Sequence, residues 1–339
     1  MRPRRVAIQP DKLWREDNPR HQSYSARWTE LLTRDGHEVV PVDVFAPEAF
    51  ERIRACEGFL WWFPPLPFPR DAAKRIILAL AHATDVVLFP DWKEAWHYDD
   101  KIAQTYLLHA ARIPMPETHV FWRYGDAVAF LRDARYPLVM KLAAGFFAQR
   151  VTLIRNRAEG EKWARWLFSS GLSNLHRPFR RLVLKEFVSL WRRHARTLDV
   201  SHGGEEQGYM LLQEFVPGND FDTRVTVIGD RVFATRRYNR PNDFRASGSG
   251  LLDMDPAKID RDALALGLHT ARTLGAHSLS LDILRHHGQP VITEVSFGYE
   301  AAQVAIRPGH WRGDALTWSE GSVRAEDALL EDFLSRLPA

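Results

Sequence analysis

A parallel α/β domain followed by an α+β half is the fold class that this sequence predicts, and three observations carry it. Short apolar runs alternate with helical patterns over the first hundred residues, which is the spacing of a parallel sheet with crossovers. Past Met210 the β-rich runs come in pairs, and Gly229-Asp230 between two of them is a hairpin signal. No internal repeat or low-complexity tract interrupts this order.

In chain order, Arg5–Gln9 reads as a buried strand, Ser25–Arg34 as an amphipathic helix and His37–Val42 as a second strand. A helix around Pro47–Ala55, the apolar run Gly58–Phe63, a helix from Arg70 to about Ala83 and the strand Asp85–Phe89 follow. Phe63–Pro69 (FPPLPFP) reads as a stiff loop, because proline cannot donate to a regular ladder. Asp99 or Asp100 caps a helix that runs to about Arg112 and is broken by Ile113–Pro116. Tyr136–Leu142 and Val151–Arg155 are strands, Ala158–Ser169 a helix, and Leu175–Ser201 a basic, helical-looking stretch. Met210–Val216, Arg224–Ile228 and Val232–Arg237 are strands, Arg261–Leu274 a helix, and Ser278–Leu284 and Val291–Val295 close the series.

The composition is that of a globular protein: 339 residues, 45% hydrophobic and 26% charged. A net charge of +3 does not by itself call for nucleic acid or a membrane surface. Cys56 is the single cysteine, so neither an internal disulfide nor a zinc cluster is expected, which fits a reducing compartment. The most apolar window, Ile76–Pro90, is interrupted by His82, Thr84 and Asp85 and spans nothing. The start MRPRRVAIQP lacks the apolar run of a signal peptide, so a cytoplasmic protein is the expectation.

The residues able to carry chemistry stand out against apolar neighbours. Lys141 lies in YPLVMKLAAG; it is either an edge-strand lysine facing water or a buried cation awaiting an anion. Lys101 follows the Asp99-Asp100 helix start, either as a solvated side chain or at a phosphate site made by the helix end. Gln213, Glu214, Phe215 and Val216 end an apolar strand before Pro217-Gly218, as an ordinary strand end or as a hinge for an adenine edge. Arg224 opens one strand, Arg237 ends the returning one, and the loop carrying Arg245 and Ser247 (NDFRASGSG) offers many donors and little obstruction. Asp282 (LSLDIL) and Glu294 (VITEVS) are twelve residues apart across a turn, so an antiparallel pair can bring both to one pocket, with Ser296 on the same face as Glu294. Like charges there call for a cation such as Mg²⁺, unless one carboxylate faces solvent.

In this order the segments DDK, LVMKLAAG, LLQEFVPG, DTRVTVIGDRVFATRR and LDIL with ITEVS resemble the ATP-grasp superfamily, over roughly Asp99 to Tyr299. The chain is also similar to uncharacterised ATP-grasp proteins with an NDFRASGSG loop and a segment like PGHW…TWSEG. The resemblance implies a Rossmann-like pre-ATP-grasp domain at 1–97. A linker helix and lid subdomain with the basic insertion would take 98–212, and a C-terminal subdomain with the metal site 213–339. It further implies that Lys101, Lys141 and Arg237 meet ATP, that Gln213 to Val216 line the adenine, and that Asp282, Glu294 and Ser296 hold Mg²⁺. Arg224, Arg245 and Ser247 would stabilise the transferred phosphoryl group or the substrate carboxylate. The implied reaction is an ADP-forming carboxylate–amine ligation through an acyl phosphate. Two departures mark this chain: Phe146 and Phe147 in the phosphate flap AAGFFAQRV, and Ser296 where the metal motif usually ends in Asn.

The implied partners are a small carboxylate and an amine, sugar- or peptide-derived groups included, with no nucleic acid and no membrane, and with a homodimer left open. The Trp61-Trp62 pair could floor a sugar or aromatic site or belong to the core. Competing readings are an ATP-grasp small-molecule kinase, a non-catalytic ATP-binding module, and nucleic-acid binding through Arg177–Arg196.

Overall fold

The computed structural model describes residues 2–11, 23–145, 151–169, 207–241 and 243–338; the middle of the flap and the basic stretch 175–201 lie outside them. The chain opens with β1 (Arg5–Ile8), α1 (Tyr24–Arg34), β2 (Glu38–Pro41), α2 (Ala49–Arg54), β3 (Gly58–Leu60), α3 (Pro67–Ala83) and β4 (Val87–Phe89). The four strands form a sheet of order β2-β1-β3-β4, parallel at every pairing. Val6, Ala7, Ile8, Phe59 and Leu60 are buried, as a sheet covered on both faces requires. One element differs from the sequence reading: α3 starts inside FPPLPFP, with Pro67 in its first turn. Amide groups of a first turn have no intrahelical acceptor, so proline loses nothing there, and its fixed φ suits the helix.

A short α4 (Trp92–Ala95) follows, closed by a capping box between Asp91 and Glu94. Helix α5 (Lys101–Ala110) is capped by Asp100, whose Oδ1 accepts from the Ile102 and Ala103 amides at 3.1 and 3.0 Å. Next come β5 (Thr118–Phe121), α6 (Tyr124–Asp133), β6 (Leu138–Lys141), β7 (Val151–Ile154), α7 (Arg157–Ser169) and β8 (Met210–Glu214). These strands make an antiparallel sheet of order β5-β8-β6-β7. Strand β8 runs across the junction that the sequence reading drew at 212/213, so Gln213 and Glu214 pair within this second sheet.

The third sheet is built from β9 (Phe221–Ile228), β10 (Arg231–Tyr238), β11 (Leu252–Asp253), β12 (Ser278–His286), β13 (Gln289–Ser296), β14 (Gly309–Arg312) and β15 (Thr317–Glu320). Its order is β13-β12-β9-β10-β14-β15, with β11 on the β10 edge. Gly229 turns the β9–β10 hairpin with φ 58°, a conformation that costs glycine little. Helix α8 (Arg261–Leu274) packs on one face of this sheet, held by the Asp260 N-cap and by Gly275 at φ 65°. The short α9 (Ala301–Ala305) and α10 (Ala325–Ser335) end the chain.

The C-terminal helix returns to the beginning of the molecule. Phe333, Leu329 and Leu330 share a core with Ile8, Trp28 and Leu60 of the first unit and with Ile228 and Phe233 of the third sheet. Gly58 permits this approach, since a β-carbon there would lie 2.4 Å from Cζ of buried Phe333. Gly58→Ala is therefore expected to cost about 1–3 kcal/mol through overpacking. Urea unfolding should show a lower midpoint with an unchanged slope.

Candidate active site

Antiparallel register places directly opposed residues on one face of a sheet, and here it assembles a charged row from three strands. Glu294 on β13 lies opposite Asp282 on β12, Asp282 lies opposite Arg224 on β9, and Arg224 lies opposite Thr235 on β10. The neighbouring rung on the same face pairs Asp222 with Arg237. Arg224 grips Asp282 with two hydrogen bonds, Nε at 2.8 Å and Nη2 at 3.0 Å. Arg237 binds Asp222 at 2.7 and 2.5 Å and reaches Asp282 at 2.7 Å. Burial alone would raise the Asp282 carboxyl, but the two guanidinium groups more than offset it and hold it well below the usual carboxylate range.

Both candidate lysines are buried rather than solvated, at 9% exposure for Lys141 and 6% for Lys101. Lys141 ends β6, which lies between β7 and β8 and so is no edge strand. A β-bulge at Thr293 explains its direct partner: Asp282 pairs with Glu294 and Ile283 with Ile292, leaving Thr293 outside the ladder. The Thr293 carbonyl accepts from Lys141 Nζ at 2.9 Å. Burial pushes the Lys141 ammonium down to about 8, with the Glu294 carboxylate opposing that shift. Lys101 Nζ donates to the Gly145 carbonyl at 2.8 Å and lies 3.5 Å from Oε1 of Glu294. The main chain of Lys101 is tied to Ala143 (2.9 Å), and Asp99 Oδ1 accepts the Gly145 amide (2.8 Å), so the start of the flap is pinned to the start of α5.

The end of β8 carries the proposed hinge. Gln213 is buried with Nε2 on the Thr118 hydroxyl at 2.9 Å, while Glu214 is half exposed and lies 3.6 Å from His286. Phe215 and Val216 follow the last laddered residue, and the Phe215 ring stands edge-on to Phe244 with centroids 5.8 Å apart. That contact ties the hinge to the loop of Arg245 and Ser247. In that loop Arg245 is forked onto Asp243, at 2.7–3.0 Å, and the Ser247 carbonyl accepts from Arg240 at 3.1 Å. Arg245 is thus half of an ion pair with Asp243.

Asp282 and Glu294 suit a hard divalent cation that takes one or two carboxylates and fills its shell with phosphate oxygens. Among the described residues there is no group of three His, Cys, Asp or Glu that would hold a metal without such a ligand. Ser296 closes a local turn: its hydroxyl donates to the Gly298 carbonyl at 2.9 Å and accepts the Gly298 amide at 3.1 Å. A serine side chain is short enough to close this local turn. Trp61 also departs from a stacking floor; it is 4% exposed among Phe59 and Phe63, while Trp62 stacks on Tyr24 at 5.5 Å.

Arg307 directly precedes the PGHW segment, and the sequence reading gave it no role. It follows α9 and is 3% exposed, with Nε on the Ala234 carbonyl at 3.1 Å and Nη1 on the Gln303 carbonyl. No helix among the described residues is long and apolar enough to cross a membrane.

Residues 188–305 match the family model described as the RimK-like ATP-grasp domain. Among curated proteins, the chain is 24% identical over 185 residues to the alpha-aminoadipate–LysW ligase LysX of Saccharolobus solfataricus, covering 55% of this chain and 56% of that protein. It is 30% identical over 93 residues to a probable alpha-L-glutamate ligase of Shewanella frigidimarina, covering 26% of this chain and 30% of that one. The chain thus matches little more than half the length of the first relative and under a third of the second. Among solved structures, a RimK domain ATP-grasp protein from Sphaerobacter thermophilus superimposes with a TM-score of 0.54 at 18% identity, covering 97% of this chain and 98% of that one. The ATP complex of D-alanine–D-alanine ligase from Bacillus anthracis gives a TM-score of 0.53 at 12% identity, with 91% and 90% coverage.

Proposed function

We propose that this chain, which has the ATP-grasp fold, is an ADP-forming ligase that joins a carboxylate to an amine. The observation that carries this reading is the meeting of two buried lysines with the charged row of the third sheet, since Lys101 and Lys141 both feel Glu294. Two ammonium groups buried this close together call for more anionic charge than one carboxylate supplies, and the triphosphate of ATP would supply it.

In this reading Lys101 and Lys141 hold phosphate oxygens, and Glu214 to Val216 hold the adenine edge while Phe215 closes on its ring. Asp282 and Glu294 would hold Mg²⁺, which when bound neutralises phosphate charge and aligns the phosphoryl group. Arg224 and Arg237, locked by Asp222 and Asp282, keep a fixed positive field over the reacting atoms; Arg245 and Ser247 line the acceptor side. A substrate carboxylate oxygen attacks the γ-phosphorus, and ADP leaves with the electron pair of the broken P–O bond. The amine nitrogen then attacks the acyl carbon, phosphate leaves, and the nitrogen gives up a proton. Preorganised cations suit both steps, because each develops negative charge on oxygen.

The names of the relatives point to acidic amino acids as the first substrates to try. Purified protein with Mg²⁺–ATP, L-glutamate or alpha-aminoadipate and a panel of amines and carboxylates should release ADP and phosphate only when acid and amine are both present. Release of AMP and pyrophosphate would overturn the reading. A stable phosphorylated product without amine would convert it to a kinase.

A further inference from the structure

One edge of β10 is open for three residues. The rungs to β14 end at Val232 and those to β11 begin at Arg236, so Phe233, Ala234 and Thr235 have no strand beside them there. Arg307 fills the gap by donating Nε to the Ala234 carbonyl at 3.1 Å. Its guanidinium has no ion-pair partner among the described residues although only 3% of it is exposed. The charges that act on it include Arg224 and Arg237, both of like sign. An isolated buried charge is costly, and a neighbourhood of like charges makes it more so.

One polar group on this stretch of β10 is unsatisfied. The Thr235 hydroxyl is buried without a hydrogen-bond partner, and its residue is 3% exposed. Thr235 is the cross-strand partner of Arg224 and lies two residues from Arg237. Arg224 and Arg237 are paired with Asp222 and Asp282, the Thr235 hydroxyl beside them is left over, and Arg307 is held by the main-chain carbonyls of Ala234 and Gln303. A bound anion would satisfy the Thr235 hydroxyl and give the Arg307 guanidinium the counter-charge that the described residues do not supply.

We propose that Arg307 and Thr235 form an oxyanion subsite on the β10 edge, which receives a carboxylate or phosphoryl group of the reacting acid. This rests on the ligase reading for its place in the reaction but not for the anion itself. A guanidinium anchored by Nε to main chain is preorganised, so its remaining donors meet an oxyanion without first losing rotamer freedom.

The test compares thermal midpoints of the full chain in sodium malonate, sodium phosphate and sodium chloride at equal ionic strength. Wild type should rise in malonate, in phosphate or in both relative to chloride, and the apparent affinity should weaken at least tenfold in Arg307→Met. A response to malonate alone assigns the subsite to the acid's carboxylate, and a response to phosphate alone assigns it to the phosphoryl group. Arg307→Lys keeps the charge and loses the fork, and Thr235→Val removes only the hydroxyl; both should weaken binding less than Arg307→Met. Should Arg307→Met fail to fold, these two variants carry the comparison. No anion-specific rise in wild type, or equal rises in wild type and all variants, overturns the subsite. Each protein is also measured with Mg²⁺–ATP: its midpoint rise should persist in the Arg307 variants. Absence of that rise in wild type would count against the ligase reading, while the malonate and phosphate results would still decide the subsite.

Discussion

Replacing Lys141 by methionine is expected to abolish the rise in unfolding midpoint produced by Mg²⁺–ATP, while leaving the free protein at least as stable as wild type. The ammonium is buried, and its direct contact in the free protein is one carbonyl, that of Thr293. A methionine of similar length keeps the packing and removes the desolvated charge. Ligand at a hundred times its Kd adds about 2.7 kcal/mol to native stability, and that increment is what the variant should lose.

The pH dependence of Lys141 separates its two roles. Its folded value, near 8, lies below the ordinary lysine value of 10.5. The unfolded chain therefore holds the extra proton between these limits, and the lysine's contribution to stability grows as pH rises from about 8 to 10.5. Nucleotide binding needs the charged form, so the Mg²⁺–ATP increment should fall as pH passes 8. Midpoints measured with and without nucleotide should converge from pH 7 to 10 in wild type and coincide throughout in Lys141→Met. Parallel curves in wild type would remove Lys141 from the phosphate site.

Asp282→Ala should be the more damaging change. Asp282 receives two hydrogen bonds from Arg224 and one contact from Arg237, all within 3.0 Å and in a buried setting. Removing the carboxylate strands the Arg224 guanidinium and leaves Arg237 with Asp222 alone, a loss of about 3–5 kcal/mol. Asp282→Asn keeps shape and part of the hydrogen bonding, so it should fold and lose less stability. Its ADP release should nevertheless fall by at least two orders of magnitude if the carboxylate holds both the arginines and the cation. Because Asp282 titrates below the usual carboxylate range, its stabilisation is present above the ordinary value and is lost as pH falls below it. Near-normal ADP release by Asp282→Asn would rule the carboxylate out of the chemistry.

Some of this was readable before any coordinates. The hairpin at Gly229-Asp230 and helix Arg261–Leu274 were plain because turn, N-cap and C-cap residues act locally. Lys141, Asp282 and Glu294 stood out because a charge in an apolar strand needs a partner, whatever that partner is. Strand β5, helix α6 and the terminal β14, β15 and α10 were not anticipated. Four-residue strands such as THVF are too short to show a period, and α10 is helical where it packs on α1 and Phe333 seats over Gly58. The FPPLPFP loop was misread because proline forbids a helix interior but not its first turn.

The sequence by itself determined the order of elements, the alternation that makes the first sheet parallel, and which charged residues would be costly to bury. Those properties depend on a residue and its near neighbours. Only the tertiary structure decided who meets whom: the Thr293 carbonyl for Lys141, two arginines for Asp282, Gly298 for Ser296, and an open strand edge for Arg307. A charge announces that it needs compensation, but register, bulges and sheet edges select the compensating atom. They are set by pairings between residues far apart in the chain.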